Sequence, residues 1–579
     1  MCHARDGSAC FAGSGAQRVE TASAVWAAWK EVFGTNQVMT FGRPGASDST
    51  WRPHLTRRTA VKTLFCGVAC FGLPDCFVKR IFPAGAALAF SQEYNPGYEL
   101  GEKIYVPVRS SVLNEDRTAE VILPREFKTD SDDRYDAIYI LDGIRAYHYV
   151  AYDYLRGEGF IPKRTILVGL LGLKDRPTRY RDFTPTRPSP DSGGADRYLE
   201  FLKEELAPLI DKKFRTASER SALVGGSMGG LFVIHALLNQ PTLFKSYIAL
   251  DPSLWWDGGV VNTEFQRKVG ALKSLNRVLW INGREGEGMR EMGIDRLEAI
   301  LRARAPSGLT WMCRPYANET HLSTWIKGFW DGVKYCYGGY YATGIGFKPM
   351  NGTVLKATPF HVWCYQRGAS SYIRYTLDGS EPTSNSPRVS LENTFRLSND
   401  VTLRIKAFCA REEYNTTATG KFRVGAARPG IERLDDVVPG GLRFAYYEGD
   451  WELPQDVVGL KPDRLGRAGR DFDLGKLPVD RTFICILDGF LRLDSDAHYV
   501  FELSDQGHSK VFLGDLQVIG DHFDPSGAES YVLPLRKGFH PFKVVYFHRK
   551  DQRNLAPVYW KRETEDDSPI PLDLLYSRT

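Results

Sequence analysis

Between an apolar run at Ala222 to Val224 and an amphipathic stretch at Gly230 to Leu238, the chain reads Gly225-Gly226-Ser227-Met228-Gly229. This string most restricts the fold. A serine between glycines at a strand-to-helix junction needs a sharp turn with unusual backbone angles, where bulkier neighbours would collide. Such a turn lifts the serine oxygen above a sheet and aims the next backbone N–H, that of Met228, at an oxygen developing negative charge. Ser227 is therefore the candidate nucleophile.

A serine hydroxyl is a poor nucleophile near neutral pH without a base, so a histidine must reach it through the fold. His321 closes Tyr316-Ala317-Asn318-Glu319-Thr320, after the last expected strand and before an aromatic helical stretch holding Trp325, Phe329 and Trp330. It fits the chain order serine, acid, histidine. The acid is expected just beyond Val278-Leu279-Trp280-Ile281, where Asn282-Gly283-Arg284-Glu285-Gly286-Glu287 offers two carboxylates. Glu285 is narrowly preferred and Glu287 stays open.

The surrounding pattern agrees. From Ser91 to about Ile345 short β-branched or apolar runs alternate with amphipathic ones, as in an α/β domain with a mainly parallel sheet. Strands are expected at Tyr135 to Leu141, Thr165 to Leu170, Ala222 to Val224, Ser246 to Leu250, Val278 to Ile281 and Thr310 to Arg314. Helices are expected at Tyr198 to Phe214, Gly230 to Leu238 and Ile294 to Arg304. After Lys348-Pro349 only strand and turn signals remain, and Pro429-Gly430 and Pro439-Gly440 bracket a linker. The expected organisation is an N-terminal extension over residues 1–90, the α/β domain over 91–345, a β-sandwich over 346–426, a linker over 427–440 and a second β-sandwich over 441–579.

At these residues the sequence resembles the esterase D family of α/β-hydrolases, which includes enterobactin, feruloyl and acetylxylan esterases and the mycolyltransferases. The resemblance spans about Tyr98 to Tyr340. It is carried by the serine motif, Tyr139-Ile140-Leu141-Asp142-Gly143, Phe183-Thr184-Pro185-Thr186, Glu205 to Asp211 and Asp251-Pro252-Ser253-Leu254-Trp255-Trp256-Asp257. It implies a second oxyanion N–H at Ile144, beside the one at Met228. Asp142-Gly143-Ile144-Arg145-Ala146 is similar to the mycolyltransferase version, which marks Arg145 as a substrate-binding candidate, and Trp255 and Trp256 are candidates to line an acyl or alcohol pocket. Two departures stand out: relatives often have serine where this chain has Asp251, and the spacing at the expected acid is irregular. Some relatives manage with a serine and histidine pair.

Ile373-Arg374-Tyr375-Thr376-Leu377-Asp378-Gly379-Ser380 resembles the C-terminal sandwich of chitobiases, which implies a spacer. Gly441 to about Arg549 resembles the protective-antigen (PA-fourteen) sandwich, whose members often bind carbohydrate. Sugar-binding members commonly hold calcium with two adjacent aspartates, and Asp505-Gln506 stands here instead.

With 75 basic and 70 acidic residues in 579, the net charge of +5 is too dilute for a nucleic-acid partner. The histidines show no H-E-x-x-H spacing and the glycine-rich turns lack a P-loop ending, so neither a catalytic metal nor any other cofactor is expected. No apolar run spans a bilayer. Thr56-Arg57-Arg58 before an apolar stretch, with Ala87-Leu88-Ala89 as a small-residue cleavage site, predicts export and resembles a twin-arginine signal. The reading is an exported serine esterase that acts on an acetyl or feruloyl group of a carbohydrate, with glycan binding by the last domain. The alternatives are a siderophore esterase, and a glycan-binding or adhesion protein with a vestigial hydrolase core.

Overall fold

The computed structural model describes residues 101–579 except 129–131, 172–175, 274, 393, 453, 469–479, 505–508, 521–527, 551–557 and 564. The export segment and the Asp505-Gln506 pair lie outside the described residues.

The first half is built on one eight-stranded sheet. Its strands are β1 (Lys103–Ser110), β2 (Glu115–Ile122), β3 (Asp136–Leu141), β4 (Thr165–Leu171), β5 (Ala222–Gly226), β6 (Ser246–Leu250), β7 (Arg277–Arg284) and β8 (Leu309–Tyr316). They lie in the order β1-β2-β4-β3-β5-β6-β7-β8. From β4 to β8 every pairing is parallel, and the β1-β2 hairpin joins antiparallel at β4. The expected α/β-hydrolase class is thus observed, and the helix expected over Ile294 to Arg304 is found at those bounds.

β3, β5 and β6 are buried along their whole length, which explains their unbroken apolar sequences: a parallel sheet covered on both faces leaves no polar side. Side-chain alternation divides each strand between two cores. In β3, Ala137, Tyr139 and Leu141 pack with helices Met228–Asn239 and Ile294–Arg304, while Ile138 and Ile140 pack with helices Ala146–Gly157 and Ser323–Cys336. The β1-β2 hairpin escaped the sequence reading because β1 is half exposed, with Tyr105 58% open beside buried Val106 and Val108.

The remaining strands do not form separate beads. Asn351–Val354 pairs in parallel with Thr416–Val424 on one side and with Ala528–Leu535 on the other, so a single eight-stranded sheet runs from the middle segment into the last. Gly352 is the pinch point: a Cβ there would lie 2.2 Å from the Val532 carbonyl oxygen, a distance no side chain tolerates. The expected linker is stitched to two sheets, with Arg428 N–H donating to Pro534 O of this one at 2.9 Å and Ile431 N–H to Phe539 O, in strand Gly538–His548 of another, at 2.9 Å. Among the described residues Cys313, Cys336, Cys364, Cys409 and Cys485 are buried free thiols.

The middle segment is also locked into the α/β domain. Arg411, fully buried, reaches the start of β3, where its Nη1 lies 3.6 Å from the Asp136 carboxylate and its guanidinium sits 4.1 Å over the Tyr337 ring. Asp136, also fully buried, accepts the Tyr337 hydroxyl at 2.9 Å and pairs with Arg220 at 3.1 Å. Burial pushes the Tyr337 hydroxyl well above its ordinary range, so at neutral pH it is a neutral donor. Removing one partner of a buried charge cluster strands the other. Arg411→Ala is therefore expected to lower stability by about 3 kcal/mol, read from the denaturant midpoint by far-ultraviolet circular dichroism. An unchanged midpoint would show that Arg220 and Tyr337 alone balance Asp136.

Candidate active site

β5 ends in the turn at Ser227, whose φ of 56° and ψ of −118° lie where non-glycine residues are strained. Packing holds it there. A Cβ on Gly226 would meet the Trp325 ring at 2.6 Å, and one on Gly225 would meet the Gly229 backbone at 2.5 Å, so both positions admit only glycine. Ser227 N–H donates to Leu250 O at 3.0 Å, and Ser227 O accepts the N–H groups of Leu231 and Ser253, each at 3.0 Å. The turn is thereby tied to the end of β6 as well as to its own helix.

Ser227 and His321 line one cavity of about 380 Å³, together with Met228, Ser253, Arg179 and Arg284 among others. The Ser227 hydroxyl is paired with the Ser253 hydroxyl at 3.0 Å rather than with the imidazole. Catalytic hydrogen bonds commonly tighten only when substrate is bound. His321 Nδ1 is 2.7 Å from Asp251 Oδ2, and the same oxygen accepts Arg284 Nε at 3.0 Å. Asp251 is fully buried and His321 is 36% exposed, so a screened carboxylate anchors a ring that remains open to the cavity. A carboxylate on Nδ1 selects the Nδ1–H tautomer and leaves Nε2 able to accept a proton.

The carboxylate expected after β7 is thus found after β6. Glu285 and Glu287 are both exposed and make no contact with His321; the Glu285 amide is instead tied to Tyr316 O at 3.0 Å. The register explains the correction. Leu250 lies opposite Asn282, so Asp251, at a φ of 42°, is level with Gly283, while the glutamates sit further out.

The other expected site residues separate. Met228 lines the cavity and opens helix Met228–Asn239, where the first amides lack intrahelical acceptors. The Ile144 amide instead donates to Glu120 Oε1 at 2.5 Å, and the buried Glu120 also binds Lys103 at 2.6 Å, so this N–H is capped rather than presented to the cavity. The Arg145 guanidinium lies 5.6 Å over the Trp325 ring, and its amide donates to His148 Nδ1 at 3.1 Å. Burial lowers His148 to about 3, which keeps it neutral and able to accept. Trp255 lines the cavity at 48% exposed, whereas Trp256 is core, with its Nε1 donating to Thr186 Oγ1 at 3.1 Å.

Three contributors went unnoticed in the sequence. Arg179 reaches Asp142 through Nε at 2.7 Å and Nη2 at 2.8 Å, and Nη2 also meets Gly226 O at 3.2 Å, joining the end of β3 to the turn. Arg284 and Ser253 are the others. The signal for Asp251 was present: it stands where relatives of this type often carry serine.

Residues 110–307 match the Esterase family model. In the esterase domain, the ferri-bacillibactin esterase BesA of Bacillus subtilis is 29% identical over 197 residues, 31% of this chain and 68% of that protein. The siderophore enterobactin esterase of Emericella nidulans is 33% identical over 153 residues, 23% of this chain and 50% of that protein. The chain thus spans between half and about two thirds of the length of these curated relatives. An IroE-like serine hydrolase from Shewanella oneidensis, of known structure, is 28% identical with a TM-score of 0.37, covering 42% of this chain and 81% of that one. Residues 366–422 match the Fn3 associated model and residues 440–574 the PA14 domain. The esterase match and the two relatives support a carboxylic ester hydrolase.

If Asp251 holds the imidazole, Asp251→Asn lowers ester turnover by roughly 10²- to 10⁴-fold, while Glu285→Gln and Glu287→Gln leave it within about twofold. Steady-state rates on a chromogenic ester check this, and a loss confined to either glutamate variant would return the role to that residue.

Proposed function

We propose that the chain is a serine ester hydrolase in which Ser227 attacks, His321 moves the proton and Asp251 holds the imidazole. The observation that carries this is the 2.7 Å bond between His321 Nδ1 and buried Asp251, with His321 and Ser227 on the wall of one cavity. Ser227 Oγ bonds to the ester carbonyl carbon as its proton passes to His321 Nε2. The carbonyl oxygen, now negative, faces the helix N-terminus at Met228. The ester C–O bond then breaks, the leaving oxygen takes the proton from Nε2, and water repeats the sequence to release the acid and restore Ser227.

For the substrate, the siderophore alternative is better supported than an acylated carbohydrate. Of the curated relatives described above, one is named a ferri-bacillibactin esterase and the other a siderophore enterobactin esterase. The cavity fits a polyanion with flat rings: its lining includes Arg179 and Arg284, no carboxylate, and the exposed face of Trp255. Export remains part of this reading on the strength of Arg57-Arg58 and the apolar stretch after them.

The test is a panel of a catecholate trilactone, acetylated xylan and a feruloylated sugar, assayed with the wild type and with Ser227→Ala. The trilactone is expected to be turned over fastest, and the variant to lose at least roughly 10³-fold on it with its circular dichroism unchanged. Faster turnover of either sugar ester overturns the substrate assignment. Turnover retained by Ser227→Ala overturns the mechanism.

A further inference from the structure

A second cavity, of about 400 Å³, lies where the middle β-segment meets the esterase domain, away from Ser227. Neither the family matches nor the chemistry above gives it a role. Its walls are largely aromatic, with Phe160, Trp280, Tyr335, Tyr340 and Tyr372 among them. The two halves build it jointly: Arg367, from the β-segment, donates to Glu158 O at 3.3 Å and Gly159 O at 2.8 Å and lies 3.8 Å over the Phe160 ring.

Its polar groups are unbalanced. Trp280, 3% exposed, meets the Tyr335 ring at 5.5 Å and continues the aromatic wall. Arg314, Lys334 and Arg367 line the cavity, with the Lys334 ammonium 4.7 Å over Phe160. Among the described lining residues Asp331 is the one acid, and it already accepts the Tyr316 hydroxyl at 2.7 Å. Donors and positive charge therefore exceed acceptors.

A neutral sugar brings donors and acceptors in equal measure and would leave this excess unanswered. A flat ring that carries an anionic group answers both features, since the ring stacks on the aromatic walls and the anion takes donors. We propose that this cavity is a binding site for a small aromatic carboxylate, completed by the β-segment and separate from the site at Ser227. The anion lies toward Lys334 and Arg314.

Isothermal titration of the full chain with salicylate, benzyl alcohol, acetate and maltose tests this. Salicylate is expected to give saturable binding, with the other three weaker by about tenfold or more. Lys334→Met and Arg314→Met should each weaken salicylate by about five- to tenfold while ester turnover stays within about twofold. Lys334 is partly exposed and Arg314 exposed, so neither variant disturbs the core. The proposal fails if salicylate shows no saturable binding, if benzyl alcohol or maltose binds as well, or if both variants bind salicylate like the wild type. It fails equally if Arg284→Met abolishes binding, which would put the ligand in the Ser227 cavity.

Discussion

The left-handed backbone at Ser227 is the constraint on which the site depends. A residue with a side chain does not rest at a φ of 56° unless its neighbours leave no alternative. Here they do not: Trp325 closes on Gly226, the helix backbone closes on Gly225, and the carbonyl of Ser227 holds two amides from different elements. Trp325 also packs edge-on against His321, with ring centroids 5.3 Å apart. One indole thus braces both the Ser227 turn and the His321 ring, so the strain at the serine and the placement of the histidine share a cause.

Much of this was readable in the chain because it is local. An apolar strand, two glycines, a serine and a helix are contiguous, and the central strands β3, β5 and β6 are buried on both faces and so written in nearly unbroken apolar letters. His321 followed from chain order. Asp251 did not, because the choice among carboxylates depends on how β6 and β7 align, a property of two strands and not of either sequence. Spacing showed where the strands end, but only register showed that Asp251 falls level with Gly283 while Glu285 has passed into solvent. Trp255 and Trp256 divided for a similar reason. They are adjacent in sequence, yet one faces the cavity and the other donates to Thr186 in the interior.

What joins the three parts of the molecule was illegible. The shared sheet rests on two short parallel ladders at Asn351–Val354, with partners about 70 and 180 residues away, and such pairings leave no local pattern. Gly352 gave only the hint that a glycine in a strand marks close approach. Arg411 was equally hidden. A lone arginine in a strand-rich segment reads as surface, and only the structure shows it fully buried against Asp136 of another domain.

The esterase cavity gains its character from how its arginines are paired. Arg179 is held by Asp142 and Arg284 by Asp251, yet neither carboxylate is part of the cavity wall. Each anion fixes its cation from behind, which removes the entropy of a long mobile side chain and leaves guanidinium groups facing the open space. At Asp251 the arrangement does more, because the oxygen that orients His321 also orients Arg284. The imidazole that faces the cavity and the guanidinium that lines it are therefore both placed by one residue at the end of β6.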